Sequence, residues 1–503
     1  MKRKLEILDT TLRDGEQTSG VSFSVSEKLT LAKLLLDELK VDRVEVASAR
    51  VSEGELQAVK QITEWAATKD YLNRIEVLTF VDGGTSLEWM EKAGAKTQNL
   101  LTKGSLNHLK HQLKKTPNQH FKEVESVFAS AEKKGLNSNI YLEDWSNGMR
   151  NSKDYVFQFL DFLSHQPVKR ILLPDTLGIL THTETYDFLS EIIERYPNIH
   201  FDFHGHNDYD LGVANTMEAV KAGCRGLHLT INGMGERAGN APMASAIAVI
   251  NDFLPQVEIA VNESALYKVS KLVSAFSGIG IPSNKPIVGD NVFTQTAGIH
   301  ADGDTKNNLY FSNLMPERFG RKRKYALGKM SGRANIKKNL QELGLTLNDE
   351  ELKKVTARII ELGDKKERVT KDDLPYIISD VLDTDYLQKV FVKSYVLTHS
   401  KGLRPSTTLS MEIDGKLFEE NASGDGQYDA FMNALRQIYK HQKRELPKLV
   451  DYAVRIPPGS NSDALCETII TWEAHGKEFT SRGLDSDQTV SAIKATEKML
   501  NIL

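Results

Sequence analysis

The sequence predicts an α/β protein in which a (β/α)8 TIM barrel is followed by a helical linker region and a small α+β domain. Short apolar, β-branched runs alternate with helical patterns over the first 255 residues, and there are eight such runs. The runs are evenly spaced and no Gly-x-Gly-x-x-Gly follows the first, which disfavours a doubly wound open sheet. We predict domains at 1–255, 256–390 and 391–503.

Each strand candidate of the barrel ends in a polar or glycine cluster. The candidates are Leu5–Asp9, Arg43–Ala47, Ile75–Phe80, Thr97–Leu101, Ser138–Leu142, Arg170–Leu173, His200–His204 and Gly226–Ile231. Helix-like segments lie between them. One is Ser26–Leu39, whose leucines and alanine recur at helical spacing and for which we expect Ser26 to be the N-cap.

Two further patterns follow the barrel. Residues 256–390 contain helical segments and a basic run, Arg318–Lys324, that could meet phosphates or form a solvated face. Beyond them, strands and a helix follow one another twice, which is typical of a small α+β unit. These elements are Val390–Val396, Thr407–Ile413, Tyr428–Lys443, Val450–Ile456, Ala464–Trp472 and Gln488–Leu500.

Composition excludes several classes of protein. The 503 residues are 40% hydrophobic and 26% charged, and the net charge of -4 provides no basic field for nucleic acid. No apolar run approaches the ~20 residues of a membrane helix. The two cysteines, Cys224 and Cys466, lie far apart, so we expect no disulfide framework and a cytoplasmic protein. Any metal must be held by His, Asp, Glu or Asn.

Chemistry in such a barrel lies at the carboxyl ends of the strands. His204 and His206 are two residues apart with Gly205 between them, so on a strand both imidazoles face one side. They could form half a metal site or cap the strand end through hydrogen bonds. Asp14 and Asn240 at neighbouring strand ends favour a mixed N/O site, which suits zinc, manganese or magnesium and does not choose among them.

Other polar residues at these ends have two interpretations each. Arg13 could bring a permanent cation to a metal-bound substrate or form a surface salt bridge. Glu143 could be a general base or a structural acceptor, and Thr176 could bind a carboxylate or cap the next helix. The glycines of Gly233–Gly239 could allow close backbone approach to a ligand.

Three motifs together carry a family resemblance. Asp9–Gln17, His204–Asp208 and Gly233–Asn240 resemble the 2-isopropylmalate, homocitrate and citramalate synthase group, of the Asp-Arg-Glu-TIM metallolyase superfamily. The resemblance covers essentially the whole chain. It implies an acyltransferase that joins the methyl carbon of acetyl-CoA to the keto carbon of a 2-oxo acid, and a C-terminal regulatory domain.

The resemblance also implies roles for site residues. The metal ligands would be Asp14, His204, His206 and Asn240. The metal would chelate the keto oxygen and carboxylate of the 2-oxo acid. Arg13 would stabilise the keto oxygen as it becomes an alkoxide, Thr176 would bind the carboxylate, and Glu143 would help to move the acetyl methyl proton.

The segment Gly298–Gly303 resembles the family's Gly-Ile-His-x-Asp-Gly loop. By that resemblance His300 assists proton abstraction and enters the barrel of a partner subunit, which implies a homodimer. Tyr310 would help to hydrolyse the thioester. The residues near acetyl-CoA would be Asp302, Asn308, Leu309 and Tyr310.

The substrate's tail would meet Leu78, Leu101 and Tyr141. These side chains fill space, so the pocket should fit pyruvate and exclude the branched tail of 2-oxoisovalerate, as in the citramalate branch. Homocitrate synthases place basic residues here, and none is present in this stretch. The alternative is a 2-isopropylmalate synthase that uses 2-oxoisovalerate.

The segment Gly424–Ala430 resembles the effector region of the regulatory domain. Isoleucine is the expected inhibitor, and leucine would replace it in a 2-isopropylmalate synthase. We expect five residues around the effector, although they could equally be core residues. They are Tyr428, Asp429, Leu449, Tyr452 and Ile456.

Three rival interpretations use the same barrel. A carbon–carbon lyase or aldolase is disfavoured by the long C-terminal extension and the His300 loop. A carboxyltransferase would need a carbamylated lysine, and we assign no lysine to the matching strand ends. A non-catalytic amino-acid-binding regulator is disfavoured by the intact set of polar residues.

Overall fold

The computed structural model contains the predicted barrel. Eight parallel strands pair in chain order and the last pairs with the first, which closes the sheet. They are β1 Glu6–Asp9, β2 Arg43–Ser48, β3 Ile75–Phe80, β4 Thr97–Lys103, β5 Asn137–Glu143, β6 Arg170–Asp175, β7 Phe201–Gly205 and β8 Gly226–Leu229. Each predicted strand agrees with the observed one to within two residues at either end.

The structure describes residues 2–303, 306, 309–310, 312–364, 369–382, 390–455, 466–474 and 476–502. They form two compact units, one of residues 1–294 and 311–324 and one of residues 295–310 and 325–503. Among the described residues, no helix combines the length and apolar character that crossing a bilayer requires. The domain boundaries predicted at 255 and 390 stay predictions.

Helices surround the barrel and bury its main core against the strands. They are Val25–Lys33, Glu53–Ala67, Thr85–Ala93, Leu106–His108, Pro117–Lys133, Trp145–Asn151, Lys153–Leu163, His182–Arg195, Gly212–Ala222, Met243–Phe253 and Leu266–Ser277. The predicted cap at Ser26 is wrong. Ser24 is the N-cap, because its hydroxyl accepts from the Glu27 N–H while the Glu27 carboxylate accepts from the Ser24 N–H.

The amino ends of the strands hold a group of buried charges inside the barrel, here called the lower charge cluster. Its centre is Arg43, the first residue of β2. The Arg43 guanidinium lies 3.2 Å from Glu6, 3.0 Å from Glu76 and 2.5 Å from Asp202. One cation therefore holds together strands β1, β2, β3 and β7 at the end of the barrel away from the predicted chemistry.

The second unit begins with four helices, Gly298–Gly303, Arg333–Glu342, Asp349–Asp364 and Leu374–Leu382. Two three-stranded antiparallel sheets follow, each succeeded by a helix. The first set is β9 Val390–Thr398, β10 Ser406–Ile413, β11 Lys416–Ser423 and helix Gln427–His441. The second is β12 Lys448–Arg455, β13 Cys466–Ala474, β14 Lys477–Asp485 and helix Gln488–Ile502. This confirms the α+β prediction, although the sequence did not predict β11 and β14.

Candidate active site

Three side chains of ligand type meet at the carboxyl ends of β1 and β7. One ligand atom from each of Asp14, His204 and His206 lies within 4.8 Å of the other two, and all three residues are buried. Asp14 follows β1, His204 is the last residue but one of β7 and His206 lies just beyond the strand. With Gly205 between them, the two imidazoles share one side of the chain, with ring centroids 5.1 Å apart.

Asn240 completes this group, here called the metal cluster. The Asn240 backbone pairs with that of His206, which places both residues beside Asp14. Its side-chain N–H groups donate to Asp14 Oδ1 at 3.0 Å and to the Met234 carbonyl at 2.9 Å. Its Oδ1 is buried and has no hydrogen-bond partner among the described residues. The amide oxygen is therefore left over for a ligand.

Gly235 permits this approach of Asp14 to Asn240. Its backbone has φ +149°, and a Cβ at this position would lie 2.3 Å from Asn240 Nδ2 and 3.1 Å from Asp14 Oδ1. Either contact would force the two side chains apart. The Gly235 backbone thus lies close to the metal cluster, and the predicted approach of Gly233, Gly235 and Gly239 to a ligand stays a prediction.

The protonation of the metal cluster fits a divalent cation. Burial alone would raise the pKa of Asp14, but the charge of Arg13 and the hydrogen bond from the Asn240 side chain hold it below its ordinary value. Burial lowers the pKa of both His204 and His206, so both rings are neutral. Their Nδ1 atoms are buried without a partner among the described residues. A carboxylate, two neutral imidazoles and an amide oxygen form a mixed N/O donor set.

Arg13 is fixed beside this cluster by two carboxylates. Its guanidinium donates to Asp14 Oδ2 at 2.8 Å and to Glu45 Oε2 at 2.7 Å. Glu45 and Asp14 raise the pKa of Arg13 although burial would lower it, so the cation is permanent. The sequence analysis missed Glu45, which lies in the middle of β2. A charged residue inside an apolar strand was the available signal.

The three predicted pocket residues lie together. Leu78, Leu101 and Tyr141 form a small hydrophobic cluster of their own, separate from the main core, with Phe80 and Leu172. The sequence analysis missed the last two. The Tyr141 ring stands edge-on to His204 with centroids 6.0 Å apart, so the apolar cluster adjoins the metal cluster.

Glu143 and Thr176 also lie at strand ends on this side of the barrel. Glu143 forms a short ion pair with Lys103, the last residue of β4. The Thr176 hydroxyl accepts from the Asp144 N–H at 2.9 Å, which leaves its own hydrogen to donate. The next helix is capped by Thr181, so Thr176 has no capping role. Lys103 was missed because the predicted strand ended at Leu101.

The predicted acetyl-CoA residues belong to the second unit, and Asn308 lies outside the described residues. His300 and Tyr310 are in contact, with ring centroids 4.2 Å apart. Asp302 forms an exposed ion pair with Lys306 at 2.6 Å. Leu309 is 67% exposed. The structure therefore brings together the two residues for which the resemblance implies chemistry.

Two of the predicted effector residues are in contact. The ring centroids of Tyr428 and Tyr452 are 5.5 Å apart, and the Tyr428 hydroxyl is hydrogen-bonded to Thr496 at 2.7 Å. Asp429 accepts from the Asp425 N–H at 3.0 Å and so closes the turn before its helix. Leu449 is 38% exposed on β12. Ile456 lies outside the described residues.

Two arginines of the basic run Arg318–Lys324 are held by the fold. Arg318 pairs with Asp252 at 2.6 Å and with Glu263 at 2.5 Å. Arg321 is buried and donates to the carbonyls of Ile287 and Gly289, both at 2.7 Å. These two residues are therefore structural, which differs from both sequence interpretations of the run.

Comparison with known families agrees with this architecture. The HMGL-like family matches residues 4–273, the homocitrate synthase post-HMGL domain-like family matches 287–367, and the LeuA allosteric (dimerisation) domain matches 368–503. Because the first match alone covers more than half of the chain, the chain belongs to the HMGL-like family.

Full-length relatives refine the class. The chain is 32% identical over 501 residues to the (R)-citramalate synthase of Methanocaldococcus jannaschii, covering 99% of each protein. It is 34% identical over 502 residues to an inferred (R)-citramalate synthase of Archaeoglobus fulgidus, covering 99% of this chain and 100% of that one. It is 31% identical over 510 residues to the 2-isopropylmalate synthase of Aquifex aeolicus, covering 100% and 96%. The resemblance to this group of synthases is confirmed.

Proposed function

We propose that this protein is a citramalate synthase that condenses acetyl-CoA with pyruvate and water to give citramalate and CoA. The acetyl methyl carbon bonds to the keto carbon of pyruvate, and water then cleaves the thioester. The product enters isoleucine biosynthesis by the threonine-independent route. The observation that carries this proposal is the filled apolar cluster of Leu78, Leu101 and Tyr141 beside the metal cluster. A pocket filled in this way should fit the methyl group of pyruvate and exclude the branched tail of 2-oxoisovalerate.

The metal cluster would hold zinc, manganese or magnesium through Asp14, His204, His206 and Asn240. A bound divalent ion would act as a Lewis acid that polarises the keto group. The side chains of the metal cluster already have the protonation states that binding of a cation requires. The deprotonated Asp14 and the two neutral imidazoles need no proton loss before they bind a cation.

Three further side chains would act on the substrates. Arg13, fixed by Glu45 and Asp14, would stabilise negative charge on the keto oxygen without reorganising. Thr176 would donate to the substrate carboxylate. Glu143, held by Lys103, would help to move the methyl proton.

His300 and Tyr310 would act from a second copy of the chain, His300 in proton abstraction and Tyr310 in thioester hydrolysis. Their ring contact supports a joint role. The acetyl-CoA surface would include Asp302, Asn308 and Leu309. The match of residues 368–503 to a dimerisation domain supports the homodimer. The two buried free thiols support a reducing, cytoplasmic setting.

We propose isoleucine as the inhibitor, bound by the C-terminal domain near Tyr428 and Tyr452. The match to an allosteric domain supports a second site whose ligand alters the equilibrium of the first. Deletion of the residues beyond about 390 should abolish inhibition by isoleucine. Inhibition that survives in an active truncated protein would refute this assignment.

To test which 2-oxo acid is the substrate, thiol release from acetyl-CoA is measured with a divalent metal present. Pyruvate and 2-oxoisovalerate are supplied in parallel reactions. We expect strong preference for pyruvate. The variants Leu78→Ala and Leu101→Ser should shift the preference toward 2-oxoisovalerate by about tenfold or more, because each removes buried volume where the longer tail would lie. Val51→Ala, at an exposed site of the barrel unit, is the control and should leave the preference unchanged.

Other outcomes separate the alternatives. Preference of the wild type for 2-oxoisovalerate would identify a 2-isopropylmalate synthase, an alternative supported by the similar identity to the Aquifex aeolicus relative. Leucine would then be the expected inhibitor. If no thiol is released with either pyruvate or 2-oxoisovalerate, the carbon–carbon lyase would be favoured. An unchanged preference in both pocket variants would contradict the assignment of the pocket.

A further inference from the structure

A chain of buried hydrogen bonds runs from the substrate pocket into the barrel interior. The Tyr141 hydroxyl lies 3.2 Å from Arg13 Nη2, 2.8 Å from His228 Nδ1 and 3.4 Å from Glu45 Oε2. His228 lies on β8 and is 1% exposed. Its other ring nitrogen, Nε2, lies 3.1 Å from Asp202 Oδ2. The chain thus links the pocket to the lower charge cluster.

The donors and acceptors at the two ends of this series of hydrogen bonds fix which atom donates in each of them. Arg13 can only donate, so the Tyr141 oxygen accepts from it and has a single hydrogen left to give. Asp202 Oδ2 lies 2.5 Å from the Arg43 guanidinium, which can only donate, so this ion pair holds Asp202 as a carboxylate that only accepts. His228 therefore donates from Nε2 and accepts from Tyr141 at Nδ1.

The consequence is a fixed tyrosine. Two acceptors face the one hydrogen of the Tyr141 hydroxyl, and His228 Nδ1 at 2.8 Å is closer than Glu45 Oε2 at 3.4 Å, so the hydrogen goes to His228. The hydroxyl oxygen accepts from Arg13, and Arg13 and His228 are both held by carboxylates. The ring then cannot swing away from Leu78 and Leu101 without breaking buried hydrogen bonds. A longer keto-acid tail would require such a movement.

We infer that His228 is a positioning residue that sets the size limit of the keto acid by holding the Tyr141 hydroxyl. The inference rests on the proposed function of the pocket. His228 lies behind Tyr141 and acts through it.

The test compares two substitutions that each keep half of the imidazole's role. In His228→Asn, Oδ1 stands in the place of Nδ1 and can accept from Tyr141. In His228→Gln, the glutamine Nε2 takes the place of the imidazole Nε2 and can still donate to Asp202. The acceptor for the Tyr141 hydroxyl is lost. The readout is the ratio of kcat/KM for pyruvate to kcat/KM for 2-oxobutyrate, measured on the full-length protein.

We expect His228→Gln to lower this ratio by about tenfold and His228→Asn to keep it within about twofold. Metal content should equal that of the wild type in both, because His228 is not a ligand. In the double variant with Tyr141→Phe, His228→Gln should add nothing to the effect of Tyr141→Phe alone, because it acts through the hydroxyl that phenylalanine lacks.

Three results would overturn the inference. They are an unchanged ratio in His228→Gln, an equal fall in both single variants, or additive effects in the double variant. If His228→Gln does not fold, Tyr141→Phe alone must lower the ratio by a similar factor, and an unchanged ratio overturns the inference. Wild-type preference for 2-oxoisovalerate would contradict the proposed function only, since His228 is judged by the change in ratio between variants.

Discussion

The barrel holds two buried charged groups, one at each end, and they differ in what lies at the centre. In the lower charge cluster, the three guanidinium nitrogens of Arg43 lie within 3.2 Å of Glu6, Glu76 and Asp202. A cation of the chain itself therefore lies among these carboxylates, although Glu76 Oε2 is buried without a hydrogen-bond partner among the described residues. Such a group fixes strand positions, because the protein itself supplies the charge that balances the carboxylates.

The metal cluster also contains carboxylate and imidazole side chains, but its ligand-type atoms converge on one another rather than on a central cation of the chain. Both imidazole Nδ1 atoms of His204 and His206, together with Asn240 Oδ1, are buried without partners among the described residues. Leaving buried polar atoms unpaired costs about 1–3 kcal/mol each. Because the lower charge cluster also has unpaired buried atoms, the comparison teaches that convergence of ligand-type atoms on one another, rather than buried charge or unpaired atoms as such, distinguishes a ligand site from a structural ion pair.

The largest expected effect comes from breaking the metal cluster. His204→Ala should lower kcat/KM for thiol release by at least about a thousandfold, because it removes a proposed ligand of the cation that would activate the keto group. Metal content, measured by elemental analysis, should fall in parallel, and the circular dichroism spectrum should stay that of a folded barrel. Full activity of the variant would contradict the metal assignment.

The opposite pattern is expected in the lower charge cluster. Arg43→Ala leaves the buried carboxylates of Glu76 and Asp202 without the cation that balances them, and loss of one partner of a buried pair costs about 3–5 kcal/mol. Urea unfolding at neutral pH should show this loss, while metal affinity of the folded variant should match the wild type. Weakened metal binding without loss of stability would contradict the division between the two ends.

A smaller and pH-dependent effect is expected at His120, a buried group without a charged partner in contact. Both of its ring nitrogens lack hydrogen-bond partners among the described residues, and the ring packs against Phe159 with centroids 5.5 Å apart. Burial lowers the pKa of His120 to about 4. The unfolded chain, with a pKa of about 6.5, binds a proton that the folded chain excludes, so stability falls as pH falls from about 6.5 to about 4.

The full loss from this histidine is about 3 kcal/mol, at about 1.4 kcal/mol per pKa unit. His120→Leu should remove that part of the acid sensitivity. Urea unfolding of wild type and variant at neutral pH and at about pH 4.5 measures it. An equal loss of stability in both proteins would show that His120 titrates normally in the fold.

The sequence predicted the features that depend on periodicity or on position relative to a strand end. The eight barrel strands followed from apolar runs, and the metal residues from polar side chains just beyond them. Strands β11 and β14 were missed because they are rich in charged and polar residues and their pattern is weak.

The site residues that the sequence did not predict share one property: their contacts form only when the barrel is closed. Glu45 and His228 lie inside strands, where the sequence predicts only core, and Leu172 has an ordinary core pattern. Their roles arise from neighbours that are distant along the chain. Arg13 is 32 residues from Glu45, and Tyr141 is 87 residues from His228. Linear spacing does not encode such meetings.

The pairing of β1 with β8 has a consequence for biosynthesis. Asp14 is 226 residues from Asn240, so these two proposed ligands meet only across the seam at which the sheet closes. A nascent chain on the ribosome therefore lacks the complete metal cluster until all eight barrel strands have been synthesised. With the proposed ligands, uptake of the ion would report that the seam has closed.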